Sequence, residues 1–144
     1  MIESAAMIYR MGLTYVTVKL TAPAGSARPY SASFLDDSGA TDSMAPAGEL
    51  RKAGINPVGK TAYESADGQI KEFQFGLAQI EFMGEITSGR VIFADDHAEP
   101  LLGVTALESV GILVDAANKT LKRLPAIPLK YGVGSLVISG ADLV

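Results

Sequence analysis

The chain has 144 residues, no cysteine, one histidine and a formal charge of −4. This composition excludes disulfides, thiol catalysis and Cys-ligated zinc, and it supplies a Ser-His-Asp triad or a His-based metal site poorly. The mild acidity, without any Lys/Arg cluster, argues against nucleic acid as a partner, while the 48% apolar content suits one domain with its own core.

In chain order, Val16, Val18 and Leu20 alternate with Tyr15, Thr17 and Lys19, the period of a half-buried strand. Pro23, Gly25 and Ser26 mark a turn, and a second strand over 30–35 leads to Asp37. Pro46 suits a first helical turn and Gly54 a C-cap, which predicts a short helix over 47–53. Asp67-Gly68 between 61–65 and 70–75 is read as a two-residue hairpin turn. Met83-Gly84-Glu85 divides a further pair of strands, 77–82 and 86–93. An acidic loop over 95–100 precedes Leu101-Leu102-Gly103 and a short helix over 105–110 that ends at Gly111. Strands over 112–114 and 120–124 close the series around a polar turn. Many short strands and two brief helices predict an all-β barrel or sandwich.

A faint repeat runs through these elements. Leu50 to Ile55 and Leu107 to Ile112 both read L-x-x-x-G-I, each after a strand and a glycine-containing turn. No apolar run reaches the roughly 18 residues of a membrane span. Met1-Ile2-Glu3-Ser4 lacks the basic start of a signal peptide, so the expectation is a soluble, cytoplasmic protein with no membrane partner. Met11 reads as an alternative start. The expected organisation is an N-terminal extension over 1–11, a domain over 12–125 and a tail over 126–144.

The run Phe34-Leu35-Asp36-Asp37-Ser38-Gly39-Ala40-Thr41, the Asp67-Gly68 hairpin and Leu101-Leu102-Gly103 before a short helix resemble the retroviral-type (retropepsin-like) aspartic proteases. The resemblance spans roughly Gly12 to Pro125 and is nearest to the small bacterial single-domain kind. It implies a closed β-barrel that is active as a two-fold homodimer, an endopeptidase acting on peptide or protein substrates. No cofactor and no metal are implied. Asp37 would be the catalytic acid/base. In the active-site loop, Ser38 would hydrogen-bond into the partner's loop, Gly39 would offer its carbonyl to substrate, and Ala40 and Thr41 would continue the cleft. Ala66, Asp67, Gly68 and Gln69 would form the flap that closes over an extended peptide. Leu101, Leu102 and Gly103 would pack beneath the active-site loop.

The chemistry needs two carboxylates sharing one proton, and this chain carries the D-[ST]-G motif once. Asp42-Ser43 runs into Met44, and Asp67 meets Gly68 directly, so the second carboxylate is expected from a second copy across a two-fold axis. Two departures stand out. Asp36 occupies a position that is apolar in the family; the simplest expectation is a partly solvated carboxylate. The alternative is a charge buried near the dimer loop, weakening dimerisation or raising the pKa of the dyad. Thr41 and Val104 also stand where viral relatives pair an acid with an arginine.

Other readings remain for the same residues. Asp37 would be a turn Asp in a catalytically silent dimerisation or peptide-binding module of the same fold. Asp95, Asp96, His97 and Glu99 sketch a hard-metal site for a hydrolase, although a polar solvated loop is the simpler account. Phe73, Phe75, Phe82 and Phe93 are expected in the core or at the base of the flap. The apolar tail over 133–144, or residues 1–10, is a candidate for strands interleaved in a dimer.

Overall fold

The computed structural model describes residues 7–10, 13–118 and 120–129. Met11, residues 1–6 of the expected extension and residues 130–144 of the expected tail lie outside them. The described chain is mostly β, with two short helices. In order it runs β1 (Met7–Arg10), β2 (Leu13–Thr21), β3 (Tyr30–Asp36), β4 (Ser43–Pro46), α1 (Ala47–Lys52), β5 (Gly59–Glu64) and β6 (Ile70–Phe82). β7 (Glu85–Ala94), β8 (Leu101–Leu102), α2 (Val104–Ser109), β9 (Ile112–Asp115) and β10 (Thr120–Arg123) follow.

β2 shows why alternation specifies a strand here. Val16, Val18 and Leu20 are fully buried while Thr17 and Lys19 face outward. Eight strands form one mixed sheet in the order β1-β2-β3-β8-β4-β7-β6-β5, and β9 and β10 form a separate hairpin. β3–β8 and β4–β7 are parallel; the other pairings are antiparallel. β6 also pairs with β2, Leu20 opposite Ile80, so the hydrogen-bonded path through β2, β3, β8, β4, β7 and β6 returns to β2. Inside lie Phe34, Leu50, Ile55, Ile80, Val91, Leu102, Leu107 and Ile112, all 1% exposed or less.

The structure changes several expected elements. β6 is one continuous strand where two were expected, 70–75 and 77–82. Gly76 lies within it because a Cβ there would come 2.8 Å from the Asn56 carbonyl oxygen and 2.9 Å from Ile55 Cγ2. The β5–β6 connection is not a two-residue turn. The Gly68 N–H donates to the Ser65 carbonyl (2.9 Å) and Gly68 has φ +85°, so three residues, Ala66, Asp67 and Gly68, turn the chain. This is the type I turn followed by a left-handed glycine. β4 and β8 were not anticipated at all. Each is short and exists only by pairing with strands distant in sequence.

The L-x-x-x-G-I repeat has a structural basis. Gly54 and Gly111 end α1 and α2 with φ of +79° and +76°. After α1, Ile55 N–H donates to the Leu50 carbonyl and Gly54 N–H to the Arg51 carbonyl, both 2.9 Å. That pair of bonds is the Schellman motif, with its apolar partners Leu50 and Ile55 both in the core. The N-terminus of α1 has no cap from Pro46. The Gly48 N–H instead donates to Asp96 Oδ1 at 2.7 Å, a carboxylate from the acidic loop after β7. Among the described residues no helix is long and apolar enough to cross a membrane.

Candidate active site

β3 ends at Asp36, and β8 is inserted between β3 and β4. The loop over 37–42 that joins β3 to β4 must therefore pass the end of β8, and it is fastened there by main chain. The Asp37 N–H donates to the Leu102 carbonyl (3.2 Å), Val104 N–H to the Ala40 carbonyl (2.8 Å) and Thr105 N–H to the Thr41 carbonyl (3.1 Å). Within the loop, Ala40 N–H donates to the Asp37 carbonyl at 3.0 Å. Thr41 and Val104, which carry no acid–arginine pair, lie on segments joined through their backbones.

Leu101, Leu102 and Gly103 all adjoin this loop. Leu101 pairs with Leu35 and Met44, and Leu102 is fully buried opposite Asp36. Gly103 makes the closest approach. A Cβ there would sit 2.5 Å from the Asp42 carbonyl carbon and 2.7 Å from the Thr41 carbonyl oxygen, positions no side chain can share. Its N–H donates to the buried Ser43 Oγ at 3.0 Å. The requirement for glycine is steric, since its φ of −83° is open to any residue.

The Asp37 carboxylate is half-buried, and its Oδ1 accepts the Gly39 N–H at 2.9 Å. This short bond orients the carboxylate against its own loop, as an Asp in a turn does. Ser38 and Gly39 are exposed, as is Thr41, while Ala40 is half-buried. Asp36 behaves differently. Both of its carboxylate oxygens are shut off from solvent and have no hydrogen-bond partner. Burial pushes its pKa from 3.8 up to about 7. The expectation of a partly solvated carboxylate is therefore corrected: alternation places Asp36 on the side of the fully buried Phe34, where no polar group meets it.

Ala66, Asp67, Gly68 and Gln69 form the exposed tip of the β5–β6 hairpin, where Asp67 Oδ1 accepts the Gln69 N–H at 3.1 Å. The link between this hairpin and the loop comes from residues the sequence did not single out. The Tyr63 hydroxyl donates to Asp42 Oδ2 at 2.6 Å. Arg90 of β7 donates to Thr61 Oγ1 at 2.8 Å and lies 4.1 Å over the Phe75 ring centroid. No short-range pattern marks these contacts, because Tyr63, Asp42 and Arg90 sit on three different elements. Phe82 and Phe93 are in the core, whereas Phe73 and Phe75 are half-buried beneath Lys71 and Arg90.

The acidic loop is exposed at Asp95, Asp96, His97 and Glu99. Asp96 caps α1 and Glu99 Oε2 accepts the Tyr15 hydroxyl at 3.0 Å. Among the described residues no three His, Cys, Asp or Glu side chains are grouped to hold a metal ion. A scan against protein-family models and a search of the curated proteins return no match for this sequence.

Proposed function

We propose that the chain is a retropepsin-like aspartic endopeptidase, a closed β-barrel that works in the cytoplasm as a two-fold homodimer. The observation that carries this reading is Asp37. Its carboxylate is oriented by the Gly39 N–H on a loop tied by main-chain bonds to residues 102–105. A loop held so firmly, with Ser38 and Gly39 facing outward, is suited to present a carboxylate to a second copy of itself.

In the dimer, one Asp37 from each chain would hold a water between them. Two like charges about 3 Å apart cannot both ionise, so the pair shares one proton. The ionised carboxylate takes a proton from the water, whose oxygen forms a bond to the scissile carbonyl carbon. The protonated partner gives its proton to the carbonyl oxygen, producing a neutral gem-diol. The carboxyl that took the water's proton then passes it to the leaving nitrogen while a gem-diol hydroxyl gives its proton to the ionised partner, the C–N bond breaks, and the pair is again singly protonated. The macroscopic pKa values would belong to the pair. An extended peptide would bind by strand-like pairing beneath the hairpin tip at Ala66 to Gln69.

Turnover of an unstructured protein at mildly acid pH tests this reading. Wild type should cleave it and Asp37→Asn should not, while both sediment as dimers. Cleavage that survives Asp37→Asn would refute the aspartic mechanism. A second reading is favoured by one observation, the buried and unpartnered Asp36. A charge beside the Asp37 loop would make the fold a silent dimerisation or peptide-binding module near neutral pH. Peptide binding without turnover near neutral pH, with turnover there in Asp36→Val, would select it.

A further inference from the structure

β7 pairs with β6 from Phe75 onward, whereas β5 pairs with it from Phe75 back to Ile70. The outer part of the β5–β6 hairpin is thus a two-stranded ribbon projecting beyond the sheet. Two strands alone are marginally stable in water, so the position of this ribbon depends on its side-chain anchors. Tyr63 is such an anchor, through its 2.6 Å bond to Asp42 Oδ2.

The two ends of that bond are held differently. Asp42 is held between Gly103, which approaches its backbone too closely for a Cβ, and Ser43, whose buried Oγ receives the Gly103 N–H. Tyr63 belongs to the ribbon. Burial, then the hydrogen bond and charge of Asp42, raise the Tyr63 pKa above its usual 10.0, with Arg90 pulling the other way. The phenol therefore keeps its proton and remains a donor across the neutral range.

We propose that the Tyr63–Asp42 hydrogen bond is a latch that sets the ribbon over the Asp37 loop, making Tyr63 a positioning residue for closure on an extended peptide. Its effect on turnover rests on the endopeptidase reading; the latch itself does not. A ribbon already held in place loses less freedom when substrate binds, so the latch acts on substrate affinity more than on the bond-breaking step.

The test combines kinetics with amide hydrogen exchange on the full chain. Tyr63→Phe should raise KM for a peptide substrate by about 10-fold, as expected for loss of a hydrogen bond to a charged group, with kcat within about 2-fold. Asp42→Ala should match it, and the double variant should add little to either. Asp42→Asn keeps an acceptor oxygen and should restore most of the affinity. Exchange of the ribbon amides, the Ser65 N–H among them, should quicken about 10-fold in Tyr63→Phe and stay near wild type in Asp42→Asn. Unchanged exchange in Tyr63→Phe overturns the latch, as does a double variant whose KM increase is the product of the single ones. If turnover is indifferent to Asp37→Asn, the endopeptidase reading fails, and the exchange rates alone decide the latch.

Discussion

Replacing Asp36 with Val removes a carboxyl whose two oxygens are out of solvent and unpartnered. Its pKa is raised from 3.8 to about 7, so between about pH 4 and pH 7 the folded chain holds a proton that the unfolded chain has released. Stability must then fall as pH rises through that window, be greatest at its acid end, and level off above the folded pKa. At about 1.4 kcal/mol per pH unit, full ionisation of Asp36 costs on the order of 4 kcal/mol. Set against a domain stability of roughly 5–15 kcal/mol, this is a large share.

Urea unfolding of wild type and Asp36→Val at fixed protein concentration, near pH 4 and near pH 8, reads the effect directly. Wild type should lose about 3 kcal/mol more than the variant between the two conditions, after allowing for partial titration at the acid end. Asp36→Asn should flatten the pH dependence equally but be less stable than Asp36→Val, because it leaves a buried amide unpaired. Equal pH dependence in wild type and Asp36→Val would refute the assignment. If Asp36 also bears on the dyad, Asp36→Val shifts the pH–activity profile toward acid, because losing a nearby negative charge lowers the pKa of the dyad, or it tightens the dimer. Unchanged dimer affinity and pH profile would remove that functional role.

Gly103→Ala should destabilise the fold by at least about 2 kcal/mol and lower turnover, since its Cβ would press on the Thr41–Asp42 backbone; a fully stable Gly103→Ala chain would contradict the close packing. Asp96→Ala should cost about 1 kcal/mol in urea unfolding by uncapping α1, and Asp96→Asn less. Gly54→Ala, at φ +79° where the new Cβ would meet only the Ala22 Cβ at an ordinary 3.9 Å, should cost about 1 kcal/mol through backbone strain. Chelation by EDTA should leave turnover unchanged; loss of activity restored by a divalent cation would favour a metal-dependent hydrolase instead.

Much of the strand content was legible in the residues. Alternation at Val16, Val18 and Leu20 marks β2, and the glycines at 54 and 111 mark the ends of both helices, because each signal is local and carries its own physics. The loop at Asp37, following an apolar strand, could also be read. β4 and β8 could not. Strands of four and two residues have no internal period, and they form because β3 and β7 supply their hydrogen bonds.

Tertiary structure likewise decided the charges. Asp96 capping α1 from 48 residues away, the Tyr63–Asp42 bond and the isolation of the Asp36 carboxylate all depend on where the sheet brings distant segments together. The order of amino acids by itself determined that a lone Asp37 sits at the end of an apolar strand, with a glycine two residues on to donate its N–H. Packing decided that its neighbour Asp36 is shut away from water, since a carboxyl's solvation is set by everything that closes around it and not by its place in the chain.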